Sequence, residues 1–340
     1  MKKIKFGVVG LGNIGTRHMH VINCLCESTI LAGVCDIENE KNIKYSELYG
    51  VPSYLNLTEL LKNKDIQIVS VCTPHGLHAE MSIEISKAGK NVLVEKPMAL
   101  STYDCNRMIK AAEDNNVKLF VVKQNRYNVP IALTKDIIFS GKLGKIYNFQ
   151  CNVFWNRNAE YYTGSNWRGK LKLEGGALYT QVSHFIDLLV WWFGDVNDVH
   201  TLLTRKFQPI EFEDSGSAIL NFESGVTGTL NWNTITYNKN LEGSITIIAE
   251  KGVIKIGGQY LNKIEYWDVL NCPMPDTSGF IDTPNDYGRY KGTSSNHDKV
   301  INDITKLLLG QRLNVVEGDE GIKTIEVIEK IYNNATRFYD

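Results

Sequence analysis

The segment Gly10-Leu11-Gly12-Asn13-Ile14-Gly15 follows directly on the apolar run Ile4 to Val9, and Asp36 stands twenty-one residues beyond Gly15. A strand that turns at once into a helix needs a glycine at the turn. A second glycine lets backbone N–H groups reach a pyrophosphate, and a third lets the helix lie close on the sheet. The helix N-terminus then aims unpaired donors and its positive dipole end at the phosphates. Thr16 to Leu25 suits such a helix, and Leu31-Ala32-Gly33-Val34-Cys35 reads as a buried second strand that Asp36 ends. The layout predicts a dinucleotide pocket lined by Gly10, Gly12, Asn13, Ile14, Gly15 and Asp36. A carboxylate at that point accepts hydrogen bonds from both ribose hydroxyls of NAD and repels the 2′-phosphate of NADP. Ile37-Glu38-Asn39 offer no basic partner before Lys41, so NAD is the expected cofactor. The competing reading is a plain glycine turn with Asp36 capping the next helix.

The first 122 residues alternate short apolar strands with helical stretches, which predicts a doubly wound parallel sheet and an α/β fold. Strands are expected near 4–9, 31–35, 67–72, 91–95 and 118–122, with helices near 14–26, 39–48, 57–63, 76–88 and 102–115. Ligands of such sheets sit beyond the carboxyl ends of the strands, where Thr73-Pro74-His75-Gly76 and Glu95-Lys96-Pro97 both fall. After Gln124 the pattern changes. Pro130 to Ser140 reads as a helix. Val226, Gly228, Leu230 and Trp232 then alternate with Thr227, Thr229, Asn231 and Asn233. Hairpins are expected at Glu223-Ser224-Gly225 and Glu250-Lys251-Gly252. Further helices are expected over 178–192, 297–309 and 318–336, and a long loop over 271–296. The second half therefore reads as an α+β domain with a large, mostly antiparallel open sheet. Its free face predicts a homodimer or homotetramer.

A chain of 340 residues exceeds what one core usually holds. Two domains are expected, 1–122 and 123–340, with the C-terminal helix packing back on the first. Thirty-seven basic against thirty-eight acidic residues leave almost no net charge, which argues against nucleic acid or an anionic membrane as the main partner. The apolar run Phe185 to Phe193 is too short to span a bilayer and contains Asp187. The first strand begins almost at the N-terminus and the seven cysteines are scattered, so a cytoplasmic protein with reduced thiols is expected. No metal site is expected.

Two segments carry chemistry. Glu95-Lys96-Pro97 ends a buried strand with a charged pair. An ordinary lysine amine has a pKa of about 10.4, and desolvation beside a positive nicotinamide lowers it towards a working base. Pro97 is suited to hold the lysine rigidly, through a cis peptide. The bland alternative is a surface ion pair. The second segment runs from Glu174-Gly175-Gly176 to His184 and Asp187. Thr180 and His184 are four apart and so are expected on one helix face, with Gln181 beside them. A neutral imidazole there can shuttle the proton that leaves as hydride departs. The bland alternative is a satisfied core histidine.

Together these pieces resemble the Gfo/Idh/MocA family of sugar and cyclitol dehydrogenases across nearly the whole chain. The matching residues are Gly10–Gly15, Thr73-Pro74 with His78, Glu95-Lys96-Pro97, and Gly175-Gly176 with His184 and Asp187. The resemblance implies a Rossmann domain followed by an oligomerising open-sheet domain, with Lys96 and His184 as catalytic residues. It also implies cofactor contacts from Thr73, Pro74, His75, His78, Glu95 and Lys96, and from Gln124, Trp167 and Arg168. Many members carry an aspartate four residues before the histidine, where this chain has Thr180. A His–Asp relay is then absent, and a non-catalytic NAD-binding regulator is the alternative of another class. His75 stands where asparagine is frequent.

A narrower resemblance rests on Lys123 to Asn128, Phe154-Trp155-Asn156-Arg157, Tyr161-Tyr162, Trp167-Arg168-Gly169, Gly175 to Leu178 with Gln181, and Tyr237 to Ser244. It points to the branch that oxidises the C3 hydroxyl of UDP-N-acetylglucosaminuronate, and to relatives acting on UDP-N-acetylglucosamine. The branch commonly has an amide where the family has the aspartate. The 3-keto product goes on to an aminotransferase in the making of surface polysaccharides. The residue types suit such a substrate. Arg157, Arg168 and Lys239 answer its anionic groups. Tyr161, Tyr162 and Trp167 offer faces for uracil or sugar, and Asn125 and Gln181 offer amides for hydroxyls or the acetamide. With Lys96, Thr180 and His184 these complete the expected substrate contacts.

Overall fold

The computed structural model describes residues 2–206, 209–277, 284–286 and 291–339. The chain divides into two compact units, Met1–Lys123 with Asn296–Ile325, and Gln124–Ser295 with Glu326–Asp340.

The first unit contains β1 (Ile4–Val9), β2 (Thr29–Cys35), β3 (Ser53–Tyr54), β4 (Ile68–Val71), β5 (Asn91–Val94) and β6 (Leu119–Val121). Among the described residues these form one parallel sheet in the order β3-β2-β1-β4-β5-β6. Val8, Val34, Ile68, Val69, Val92 and Leu93 are fully buried, as strands covered on both faces require. Local chemistry starts the helices between them. Ser101 accepts from the Asp104 N–H and its hydroxyl donates back to that carboxylate, capping Thr102–Asp114. Asn56 caps Leu57–Leu61 in the same way.

Residues 296–325 close this unit. The helix His297–Leu308 buries Val300, Ile301 and Ile304. The Val121 N–H donates to the Val316 carbonyl at 3.0 Å, so β6 does not end as a bare edge.

The second unit is built on β7 (Ile146–Phe154), β8 (Val196–Arg205), β9 (Ser215–Phe222), β10 (Thr227–Asn233), β11 (Glu242–Ala249), β12 (Gly252–Gly257) and β13 (Lys263–Val269). With β14 (Pro284–Asp286), β15 (Lys291–Ser294) and β16 (Ala335–Tyr339) these are its described strands. Eight of them form one sheet, β13-β12-β11-β7-β10-β9-β8-β16, antiparallel except for the pairs β7–β10 and β8–β16. The expected alternation holds. Gly228, Leu230 and Trp232 face the core while Thr227, Thr229, Asn231 and Asn233 take the other face. The helix Ser183–Phe193 lies on the inner face, with Phe185 edge-on to Trp155 at 5.7 Å and Phe193 5.5 Å from both Phe149 and Phe222. Each such ring contributes about 1.5–3 kcal/mol by leaving water.

Three expectations need correction. The helix expected over 318–336 stops at Asn333, and Ala335–Tyr339 pairs in parallel with β8. A strand that completes an open edge is chosen by its neighbour, not by its own short pattern. The loop expected over 271–296 contains the antiparallel pair β14–β15, whose ladder satisfies backbone groups that composition alone leaves open. Residues 278–283 and 287–290 of that stretch lie outside the described residues. The helices expected over 14–26 and 178–192 each contain a π-helical turn, Val21–Leu25 and Leu178–Val182. Among the described residues no helix is long and apolar enough to cross a membrane.

Candidate active site

In the first unit the carboxyl ends of β2, β1, β4 and β5 carry Asp36, Gly10, Thr73 and Glu95-Lys96 in that order. Gly10 has φ +87°, and a Cβ there would lie 2.7 Å from the Cys72 carbonyl oxygen. A Cβ on Gly15 would lie 1.9 Å from the Gly10 carbonyl oxygen, so the helix Asn13–His20 approaches the turn only because position 15 is bare. Over Gly12, by contrast, a Cβ would meet nothing within 4 Å. Close packing on two sides with open space on the third leaves room for a pyrophosphate at the helix N-terminus. Asn13 is exposed and Ile14 half-buried beside it.

Asp36 is nearly buried. Its carboxylate accepts from the Leu11 N–H at 2.7 Å and the Glu38 N–H at 2.9 Å, while Asn42 bonds its backbone at both ends. A carboxylate has about four acceptor sites, so this anchoring leaves capacity for ribose hydroxyls.

The ends of β4 and β5 are tied together by His78. One ring nitrogen lies 2.9 Å from the Thr73 carbonyl and the other 2.8 Å from the Pro97 carbonyl. Burial lowers its pKa despite both carbonyls, so the ring is neutral and donates to one of them at a time. His78, expected among the cofactor contacts, has its polar atoms turned to the protein and works as a clamp. His75 is buried on the short turn His75–Leu77, just before it.

The Lys96–Pro97 bond is cis, and Lys96 is half-buried. Its backbone N–H donates to Glu95 Oε2 at 3.1 Å. The other oxygen of Glu95 faces two imidazoles, His18 Nε2 at 2.9 Å and His297 Nε2 at 3.3 Å. Glu95, also expected to touch the cofactor, therefore directs its charge into the protein. Burial works against that charge. The hydrogen bond and charge of His18, with the His297 ring close by, outweigh it and hold the carboxyl well below the usual range.

The second unit holds the other group. Gln124 and Asn125 are buried on the turn Gln124–Tyr127. Asn125 is 3% exposed, and neither atom of its side-chain amide has a hydrogen-bond partner among the described residues. Leaving such groups unmatched costs about 1–3 kcal/mol each.

Next to it Arg126 forms a two-pronged pair with Asp187, 2.8 Å on each prong, and lies 4.6 Å from the centre of the Trp191 ring. Both were visible in the sequence as motif members without a role. The pair holds the helix that carries His184, three residues before Asp187. His184 itself is 5% exposed.

Thr180 sits in the π-helical turn and His184 in the α-helix after it. The four-residue spacing crosses that junction, so the single α-helical face expected for them does not exist. The Thr180 hydroxyl instead lies 3.2 Å from Glu174 Oε1 and 3.2 Å from the Gly176 carbonyl.

Two buried acids bracket this turn, and sequence reasoning missed both. Burial raises the pKa of Glu174, against Arg168 and the Gly169 N–H. Burial pushes Glu213 up to about 7, although Tyr332 donates to it at 2.8 Å and the Leu178 N–H at 3.3 Å. The one local signal was Glu174 placed directly before Gly175-Gly176.

Tyr161 is the hub of the remaining cluster. Its hydroxyl accepts from Gln181 at 3.1 Å and contacts the Arg168 guanidinium, which also stacks 4.0 Å from its ring centre and 4.7 Å from that of Trp167. Arg157 is 4% exposed, reaches the Asn156 carbonyl and Asn240, and lies 5.3 Å from the same ring. Tyr162, expected as a stacking face, is instead packed with Ile210 and Phe212 in a small core, because burial of the whole ring wins over exposure. Lys239 is exposed on the loop between β10 and β11.

A family model described as an oxidoreductase family with an NAD-binding Rossmann fold matches residues 4–123, and a GFO/IDH/MocA C-terminal domain model matches residues 131–255. The chain is 36% identical to the WlbA dehydrogenase of Chromobacterium violaceum, covering 98% of this chain and 94% of that one with a TM-score of 0.90. It is 35% identical to the WlbA dehydrogenase of Bordetella pertussis, covering 98% and 96% with a TM-score of 0.88. Both were crystallised with NADH and UDP-GlcNAcA. Oxidoreductase P35 of Formosa agariphila is 27% identical over 74% of this chain and 78% of its own length. With its glycine turn, an acid ending the second strand and a Glu-Lys-Pro strand end in one parallel sheet, the chain belongs to the Gfo/Idh/MocA family of oxidoreductases and uses NAD.

Proposed function

We propose that this NAD-dependent sugar dehydrogenase oxidises the C3 hydroxyl of a UDP-linked amino sugar, UDP-N-acetylglucosaminuronate first, to the 3-keto sugar. The observation that carries the reading is the likeness over 98% of the chain to two dehydrogenases crystallised with NADH and UDP-GlcNAcA. The Tyr161-centred cluster supports it. Arg157 and Arg168 supply fixed cationic planes suited to phosphate and carboxylate, Trp167 and Tyr161 supply ring faces, and Gln181 and Asn125 supply amides. In this reading the first unit holds the cofactor and the second the sugar nucleotide, and Gln124, Trp167 and Arg168 reach the cofactor as well.

When bound, NAD accepts the hydride from C3. The chain supplies the rest. Lys96 and His184 take the proton of the C3 hydroxyl, Thr180 and Gln181 orient the sugar, and Lys239 meets an outlying anionic group. The product is a ketone ready for an aminotransferase, and its use is surface polysaccharide synthesis in the cytoplasm. Leu202, Ile219, Ile248 and Phe338, each 39–52% exposed, share the outer face of the large sheet by register and support a homo-oligomer.

The test is direct. Protein, NAD and a panel of UDP-sugars are mixed with and without 2-oxoglutarate, and reduced nicotinamide and keto product are followed. Turnover is expected with UDP-N-acetylglucosaminuronate, less with UDP-N-acetylglucosamine, and none with free glucose or inositol. Ligand binding without product from any sugar would point to a regulator instead.

Asn125 gives a second check. Asn125→Leu keeps the branching and the number of side-chain heavy atoms and removes both polar ones. It is expected to raise the thermal midpoint of the ligand-free protein by about 2–4 °C, as about 1 kcal/mol of unmatched polarity is removed. The same change is expected to weaken UDP-sugar binding at least about tenfold, through loss of hydrogen bonds worth roughly 1.5 kcal/mol. Thermal scans and ligand titration read both. A lower midpoint with unchanged binding would show that Asn125 serves the fold alone.

A further inference from the structure

Glu95 is held in an unusual way for a residue at the end of a strand. His18, from the helix after the glycine turn, and His297, from the helix His297–Leu308, both place Nε2 on the same carboxylate oxygen, at 2.9 and 3.3 Å. All three side chains are buried and the two rings meet edge to face at 5.4 Å. His18 is fixed from its other side by the Ser70 hydroxyl, 2.6 Å from Nδ1. The second oxygen of Glu95 accepts the Lys96 N–H. The carboxylate thus has one end locked by the protein and the other on the backbone of the lysine.

We propose that His297 and His18 are positioning residues for Lys96: they pin one oxygen of Glu95 so that its other oxygen fixes the backbone from which the lysine side chain leaves. The inference rests on the reading of Lys96 as a proton acceptor. Burial would disfavour a charge on His18, but Cys72 and Glu95 outweigh it and its pKa is raised. Burial lowers that of His297 despite Glu95, with His18 and Arg17 adding to the fall. A charged His18, an ionised Glu95 and a neutral His297 therefore share the site across the working pH range. With His297 removed, His18 alone holds that oxygen, and the other oxygen gains room to turn towards the Lys96 ammonium. An opposite charge at closer range favours the protonated amine.

The geometry names the variants. Nε2 of His297 makes the contact. Glutamine places its amide nitrogen near that point, whereas asparagine reaches only as far as Nδ1. His297→Gln is expected to keep kcat within about threefold of the parent, and His297→Asn to lose about tenfold, the loss corresponding to about 1.4 kcal/mol. KM for NAD and for the sugar should stay within about twofold in both, since no ligand contact is changed. The rising limb of kcat against pH should move to higher pH in His297→Asn and not in His297→Gln. Activities are referred to the NADH-binding capacity of each sample, so that loss of folded protein is not read as loss of rate.

Equal kcat and equal pH limbs in the two variants would overturn the inference. So would one tightly bound zinc per chain in the protein as purified, since a metal would then order the three side chains. Lys96→Met separates the two claims. If it keeps turnover, the reading of Lys96 falls and takes this inference with it. If it loses turnover while His297→Asn keeps it, only the inference falls.

Discussion

Lys96→Met is expected to bind NAD as the parent does and to lose about 10³-fold in turnover, the range in which a positioned acid–base group contributes. The lysine is half-buried at the end of β5, its backbone N–H is held by Glu95, and His78 clamps the following Pro97 carbonyl. Methionine keeps the length and the apolar stem of the side chain and removes only the amine. The NAD contacts expected from the glycine turn and Asp36 lie on other strands and are untouched. Fluorescence titration with NADH and steady-state kinetics with the responding UDP-sugar check the two halves. A variant with the parent's kcat would remove Lys96 from the chemistry and return it to an ordinary strand-end charge.

Arg126→Met is expected to cost about 3–5 kcal/mol of stability, because it removes the guanidinium that pairs with the buried Asp187 on both prongs. Arg126 and Asp187 are 9% and 4% exposed at their side chains, so solvent does little to screen the loss. The double variant Arg126→Met, Asp187→Leu is expected to recover most of it, since an apolar pair of similar volume avoids the desolvation cost altogether. Urea unfolding of the three proteins measures the difference. Even the stable double variant should turn over more slowly, because the pair aligns the helix on which His184 stands. Full activity in the double variant would mean that the helix packing alone, through Phe185 and Phe193, sets the histidine.

Much of the architecture can be read locally. The glycine turn, the strand before it and the acid after it lie within 36 residues, and Gly10 and Gly15 answer steric demands that the structure then displays, while the space over Gly12 stays open. The two-residue alternation over 227–233 predicts a one-sided sheet strand, and the turn at Glu250-Lys251 joins β11 to β12 as expected. Lys96 and His184 were singled out by their place in these patterns: one ends a strand of the parallel sheet, the other follows a glycine pair into a helix.

What stayed hidden depends on distance along the chain. Arg126 and Asp187 are 61 residues apart, and His18 and Glu95 are 77 apart. Nothing in either local pattern says that the charges meet. Ala335–Tyr339 became a strand because β8 offered it an unpaired edge. Tyr162 went to the core because Ile210 and Phe212 surround it, and Thr180 turned to Glu174 because the helix opens with a π-helical turn.

The amino-acid order by itself determined the class of fold and the cofactor, since these follow from backbone sterics and periodicity within short windows, and through its family resemblance it pointed to Lys96 and His184 as the residues on which the chemistry is expected to turn. Only the tertiary structure decided which charges are buried in pairs, which rings remain available to a ligand and what anchors the lysine, because desolvation and hydrogen bonding depend on neighbours brought together across the whole chain.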